Sequence, residues 1–132
     1  MTETLILTDT VSRLLEAITA GTGVPEELFT PDAVLDATIP GFRFAQHGPE
    51  HVAGQMSSWF ADPGAFVDLE RTSLSRDTEL VRFVLTWHEA GDEWAAHQSH
   101  LLELEGDRIR HVEMFCGGRW DSKRQAEIAA AM

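Results

Sequence analysis

The chain has 132 residues, 43% hydrophobic and 24% charged, with four Trp and seven Phe, which suits one packed domain and is too short for two. Its formal net charge of -12 argues against nucleic acid and anionic membrane surfaces as partners, since both demand a basic patch that ten scattered Lys and Arg do not build. Cys116 is the single Cys, so no intrachain disulfide is possible; no apolar run reaches the ~20 residues of a membrane span, and Met1-Thr2-Glu3-Thr4 lacks the positive start of a secretory signal, so the cytoplasm is the expected compartment.

Leu7, Val11, Leu14, Leu15 and Ile18 recur at helical spacing and predict a first helix that stops at Gly21, where a left-handed residue closes it. Gly23-Val24-Pro25-Glu26-Glu27-Leu28-Phe29 carries Pro and two acids in its opening turn, which predicts a short second helix, broken by Thr30-Pro31-Asp32. Ala33 to Ile39 and Phe42 to Gln46 flank the turn pair Pro40-Gly41 and predict a hairpin. From Pro49 a third helix sets Val52, Met56, Trp59 and Phe60 along one stripe, and Ala61-Asp62-Pro63-Gly64 ends it. Four strand-like runs follow as an antiparallel meander: Phe66 to Leu74, Glu79 to His88, Trp94 to Glu105 and Arg108 to Cys116, with short turns between them. No repeat or linker divides the chain, so residues 1–132 are expected to form one domain, with its core over about 5–121 and a helical, Ala-rich tail over 122–132.

Helices and strands are segregated along the chain, the mark of an α+β fold. A meander this long must twist and curl. Its strands carry large apolar residues on both faces, Phe83, Leu85 and Trp87 against Val84, so one face is expected to meet the helices and the other a second subunit, giving a homodimer through the outer sheet face.

This element order, with Phe-Thr-Pro-Asp-Ala-Val before the first strand, Gly-Pro-Glu-His-Val opening the third helix and Gly-Asp-Arg-Ile starting the last strand, resembles the nuclear-transport-factor-2-like (NTF2-like) superfamily over roughly Leu5 to Asp121. Within it, the small-molecule branches include ketosteroid isomerases, limonene epoxide hydrolases, scytalone dehydratases and SnoaL-like polyketide cyclases. The resemblance implies a strongly curved antiparallel sheet, a cone-shaped half-barrel, with three helices covering its concave face and a conical cavity between. It also implies site positions, most of which hold other residues here. The general-base Asp of the isomerases falls at Ala37, with Asp36 one residue earlier and so on the opposite side of a strand. The oxyanion-hole Tyr falls at Leu14, the second oxyanion donor at His100, and a catalytic Asp of the epoxide hydrolases at Met114. Those two mechanisms therefore lack their residues.

With His100 turned inward, the two-residue period puts Ala96, Gln98 and Leu102 beside it, Phe83, Leu85 and Trp87 on the preceding strand, and Val112, Met114 and Cys116 on the last. Leu14, Met56, Trp59 and Phe60 from the helices complete an apolar, aromatic lining, either a ligand cavity or a plain core. In the functional reading, His100 is the acid-base or polarising group, Gln98 orients the substrate or His100, and Asp36 and His47 either supply the complementary acid or base, if the hairpin bends inward, or are solvated or turn-stabilising residues. His88, His97, His111 and Glu113 fall on the outer face by the same parity; their spacing matches no compact metal motif, and a one-residue slip would exchange them with His100. Gly117-Gly118 permits a bulge, Cys116 reads as a buried apolar Cys, and Arg119 with Trp120 is either a lid or an anchor for the tail. No phosphate-binding Gly loop is present, so no cofactor or metal is expected. The functional expectation is a cofactor-free proton-transfer enzyme of the SnoaL-like kind, acting on a small hydrophobic cyclic metabolite by cyclisation, isomerisation or dehydration. The alternative is a non-catalytic binding or dimerisation domain of the same fold.

Overall fold

The computed structural model describes residues 9–132. Asp9 caps the first helix, α1 (Thr10–Ala20): its carboxylate accepts from the Val11 backbone N–H at 3.0 Å and the Ser12 hydroxyl at 3.3 Å. Val11, Leu14, Leu15 and Ile18 form its buried stripe, while Leu7, expected in the same helix, lies outside the described residues. The helix ends on Gly21 at φ 70, and a Cβ there would stand 2.5 Å from the backbone of Asp62 and Pro63. Only glycine both adopts this conformation without cost and lets the two backbones touch.

Instead of the expected second helix, the chain makes one 3-10 turn over Glu26–Leu28. The few residues between Pro25 and Pro31 cannot offset the cost of helix nucleation, and Phe29 and Thr30 favour strand. Strand β1 (Phe29–Ile39) therefore starts ahead of Ala33. Its pairing shifts register between Phe29 and Val34, which is where Pro31, with no N–H to donate, is tolerated. The Pro40-Gly41 turn joins it to β2 (Phe42–His47), and α2 (Pro49–Trp59) follows with Pro at its first turn and Val52, Ala53 and Met56 buried.

The meander is β3 (Gly64–Ser75), β4 (Thr78–Glu89), β5 (Asp92–Glu105) and β6 (Arg108–Trp120), each antiparallel to the next. The six strands form one open sheet in the order β2-β1-β6-β5-β4-β3, mostly antiparallel, with the single parallel pairing between β1 and β6. The fold is thus the expected α+β arrangement of a curved sheet with helices. α1, the 3-10 turn and α2 supply the helical side of the core; Arg71 on β3 ties the start of α1 to the sheet through Asp9 and Glu79. The C-terminal helix α3 (Ser122–Ala131) buries no residue and docks on the outside through Gln125, which donates to the carbonyls of Glu93 and Trp120.

Candidate functional site

Cross-strand register decides which side chains face the helices, because residues opposite one another share a face. Val81 lies opposite His100, Phe83 opposite Gln98 and Leu85 opposite Ala96; Gln98 lies opposite Cys116, His100 opposite Met114 and Leu102 opposite Val112. The inward set is therefore the one anticipated, and His88, His97, His111 and Glu113 occupy the outer face. Those four do not converge: they stand opposite Glu93, Val84, Glu103 and Leu101 respectively.

The inward space is divided into a solid tip and an open end. Leu14, Met56, Phe83, Val112 and His100, all expected to line the cavity, instead fill the packed core beneath it. The reason is volume: the α1 and α2 stripes reach down between the strands and leave no space at this level. Above them opens a cavity of about 610 Å³, walled by Trp59, Phe60, Leu85, Trp87, Met114 and Cys116 of the expected set, with Ile39 and Pro40 from the hairpin turn.

His100 is 1% exposed, stacked on Phe83 at 5.3 Å between ring centroids, and its Nε2 lies 2.8 Å from Gln98 Oε1. Since that oxygen is an acceptor, Nε2 carries the hydrogen. Burial pushes the imidazole down to about 4, so it is neutral near pH 7, and its buried Nδ1 has no partner among the described residues. His100 consequently acts on Gln98 rather than on the cavity: by taking Oε1 it turns the amide NH2 of Gln98 towards Cys116, whose Sγ is 3.5 Å away, on the cavity floor. Gln98 is the polar donor on an otherwise apolar floor.

Asp36 does not belong to this site. It points to the outer face, one residue out of phase with Leu35 and Ala37, and is held by Arg43 through contacts of 3.0 and 2.6 Å that keep its carboxyl below the usual carboxylate range. His47 is exposed, and its carbonyl lies 3.0 Å from Nδ1 of His51. The hairpin does not bend inward, because Phe44 packs edge-on against Trp59 at 5.9 Å and fixes β2 to α2.

The mouth carries three charged groups, Asp62, Glu89 and Arg119, of which the sequence singled out only Arg119, as a lid or an anchor for the tail. Glu89 was within reach, since the period through Phe83, Leu85 and Trp87 continues to it. For Arg119, strict alternation from Cys116 would point outward. A bulge changes that: Ala96 pairs with Arg119 but Gln98 with Cys116, so Gly117 and Gly118, the latter at φ 120, are squeezed opposite His97. Arg119 turns inward with its Cζ 5.3 Å from the ring centroids of both Trp87 and Trp94 and is ion-paired with Glu89; Trp120 turns outward against His97. Glu89 also accepts from Trp87 Nε1 at 3.0 Å, and that bond, with the neighbouring Arg119, holds its carboxyl below the ordinary range. A second hollow, of about 640 Å³, lies on the outer face among Asp68, Glu70, Arg82, His97 and Phe115.

No protein-family model and no curated protein matches the chain. Solved structures do. An NTF2-like protein from Anabaena variabilis superposes with a TM-score of 0.67 at 14% identity, over 83% of this chain and 87% of the other. A candidate isomerase from Rhodopseudomonas palustris gives 0.60 at 16% identity over 93% and 97%, and a phenazine biosynthesis-related protein from Pseudomonas aeruginosa gives 0.56 at 14% over 89% and 81%.

Proposed function

We propose, from the NTF2-like fold that this chain adopts, that its cavity holds a small, largely apolar cyclic molecule and that the chain catalyses a cofactor-free proton transfer on it, an isomerisation, cyclisation or dehydration of the polyketide type. The observation that carries this reading is the Gln98 amide, oriented by a neutral, buried His100 and presented on an apolar floor. A carbonyl oxygen set against that NH2 is polarised as negative charge develops on it, which is where a preorganised donor stabilises most. The proton leaving the adjacent carbon passes to a carboxylate at the mouth, Asp62 or Glu89, and returns at another carbon when the bond order is rearranged. Neighbours of the same fold, a candidate isomerase and a phenazine biosynthesis-related protein, agree with ligand binding and with isomerase chemistry. The non-catalytic alternative draws on one observation: neither His100 nor Asp36 reaches the cavity.

Cys116 is the single Cys and lines the cavity, so its alkylation reports occupancy. The two-ring ketone α-tetralone is expected to protect Cys116 from N-ethylmaleimide, and Gln98→Leu to require about fivefold more ketone for the same protection, as for one lost hydrogen bond to a neutral carbonyl. Catalysis is read separately, as deuterium exchange at the α-carbon of α-tetralone in heavy water. Acceleration by wild type that Gln98→Leu loses supports the enzyme; protection without acceleration selects the binding domain; no protection up to the solubility limit ends the reading.

A homodimer through the outer sheet face, with the protein in the cytoplasm, completes the proposal. Phe115, half exposed, centres a patch flanked by Arg82 and Glu70, both signs of charge that a two-fold axis can match to themselves. Phe115→Arg is expected to convert a dimer to a monomer in sedimentation velocity; a monomeric wild type rejects it.

A further inference from the structure

The cavity reading leaves one group unused. Arg119 sits at the mouth of an apolar cavity, a place where a neutral hydrophobic ligand needs no guanidinium. Its position is not incidental to the strand: without the extra residue at Gly117-Gly118, alternation would bring Trp120 to the cavity side and send Arg119 to the outer face. The two indoles that flank it and the Glu89 carboxylate then hold the guanidinium in one orientation. Glu89 occupies only Nη2; among the described residues Nε and Nη1 donate to nothing. A planar, pre-set, partly free guanidinium is a receiver for a planar oxyanion.

We propose that Arg119 receives the carboxylate of the bound molecule, so that the ligand is a cyclic carboxylic acid with an oxygen acceptor on the side of the ring away from the acid. This rests on the reading of the cavity as a ligand site and narrows its chemistry. Arg119 lies opposite Ala96, two residues along β5 from the floor donor Gln98, and its guanidinium reaches away from Gln98 to Trp87 and Trp94, so the two polar groups stand on opposite sides of the apolar lining. The apolar body then fills the space between Trp59, Trp87 and Met114, with one end on the Gln98 amide and the other on the guanidinium. Asp62 and Glu89 at the rim, with the net charge of -12, oppose any anion that does not also bury an apolar ring. The combination selects for amphipathic acids over bare ones.

The test compares para-hydroxybenzoate, its methyl ester and para-hydroxybenzylamine as protectants of Cys116 against N-ethylmaleimide, on the whole protein. Wild type is expected to bind the acid about tenfold more tightly than the ester, as for a charge-assisted hydrogen-bond pair, and Arg119→Gln to reduce that ratio to near one. Glu89→Gln, which keeps the acceptor for Trp87 and removes the competing charge, is expected to tighten the acid by roughly threefold. Arg119→Lys retains the charge without the fork or the stacking and should fall between wild type and Gln, which keeps the test decisive if Arg119→Gln misfolds. Equal binding of acid and ester, or preference for the amine, overturns the assignment of Arg119 while α-tetralone protection stands. Failure of α-tetralone as well would overturn the cavity reading itself.

Discussion

Lowering the pH from 6.5 to 4 is expected to cost the fold about 3 kcal/mol through His100 alone, at 1.36 kcal/mol per pH unit of separation between folded and unfolded titration. The sign follows from the direction of the shift. Burial lowers the folded value to about 4, whereas the unfolded chain takes up the proton near 6.5. Between those two values the unfolded state binds more protons, so stability falls as the pH falls, and below 4 the effect is complete. Carboxylates contribute their own acid dependence, so the measurement is a difference: urea unfolding of wild type and His100→Leu at pH 7 and again at pH 4. Leu nearly matches the ring in volume and cannot titrate. At pH 7 the variant should be less stable, having left Gln98 Oε1 without its donor and removed the stack on Phe83. At pH 4 that deficit should shrink or reverse by about 3 kcal/mol. Parallel pH dependence in the two proteins would mean that burial does not hold the ring neutral.

Gly21→Ala should be the other large loss, at about 3 kcal/mol or more, against about 1 kcal/mol for Gly41→Ala. Both glycines have left-handed backbone, φ 70 and φ 75, so the cost of forcing Ala into that region is common to the two. They differ in what surrounds them. A Cβ at Gly41 meets nothing within 4 Å, while one at Gly21 lies 2.5 Å from backbone atoms of Asp62 and Pro63 that cannot swing aside. Relieving the clash pushes the end of α1 from the Asp62 turn, which is part of the cavity rim, so α-tetralone should also protect Cys116 less well in Gly21→Ala. Equal thermal stabilities for the two variants would show that the close approach is not maintained in solution.

Much of the architecture was legible from local rules. The α1 stripe, the Pro40-Gly41 hairpin, the α2 stripe and the four-strand meander all followed from periods of 3.6 and 2 and from turn residues. The parity of β5 was legible too, and with it the inward direction of His100, because alternation is strict wherever pairing is regular. What failed were places where a local rule met a longer-range constraint. Pro25, Glu26 and Glu27 look like a helix start, but β6 offers Phe29 a partner at Ile109, and strand pairing wins over a helix too short to nucleate. Asp36 was drawn in as a stand-in for the base missing at Ala37, yet Arg43 across the hairpin supplies its partner on the outer face.

By itself, the order of residues determined which side chains share a face, since alternation and helical periodicity are properties of the backbone. It determined as well that the inward face would be apolar and aromatic with Gln98 and His100 as its polar members. Tertiary structure alone decided how deep the empty space goes and what guards it. Whether His100 touches a ligand depends on how far the side chains of α1 and α2 descend between the strands, and packing closes the cavity one layer above it. Whether Arg119 faces in or out depends on a single bulge, which reverses every side chain after Gly118. Both are matters of where chain segments distant in sequence come to rest against each other, and no period along the chain records that distance.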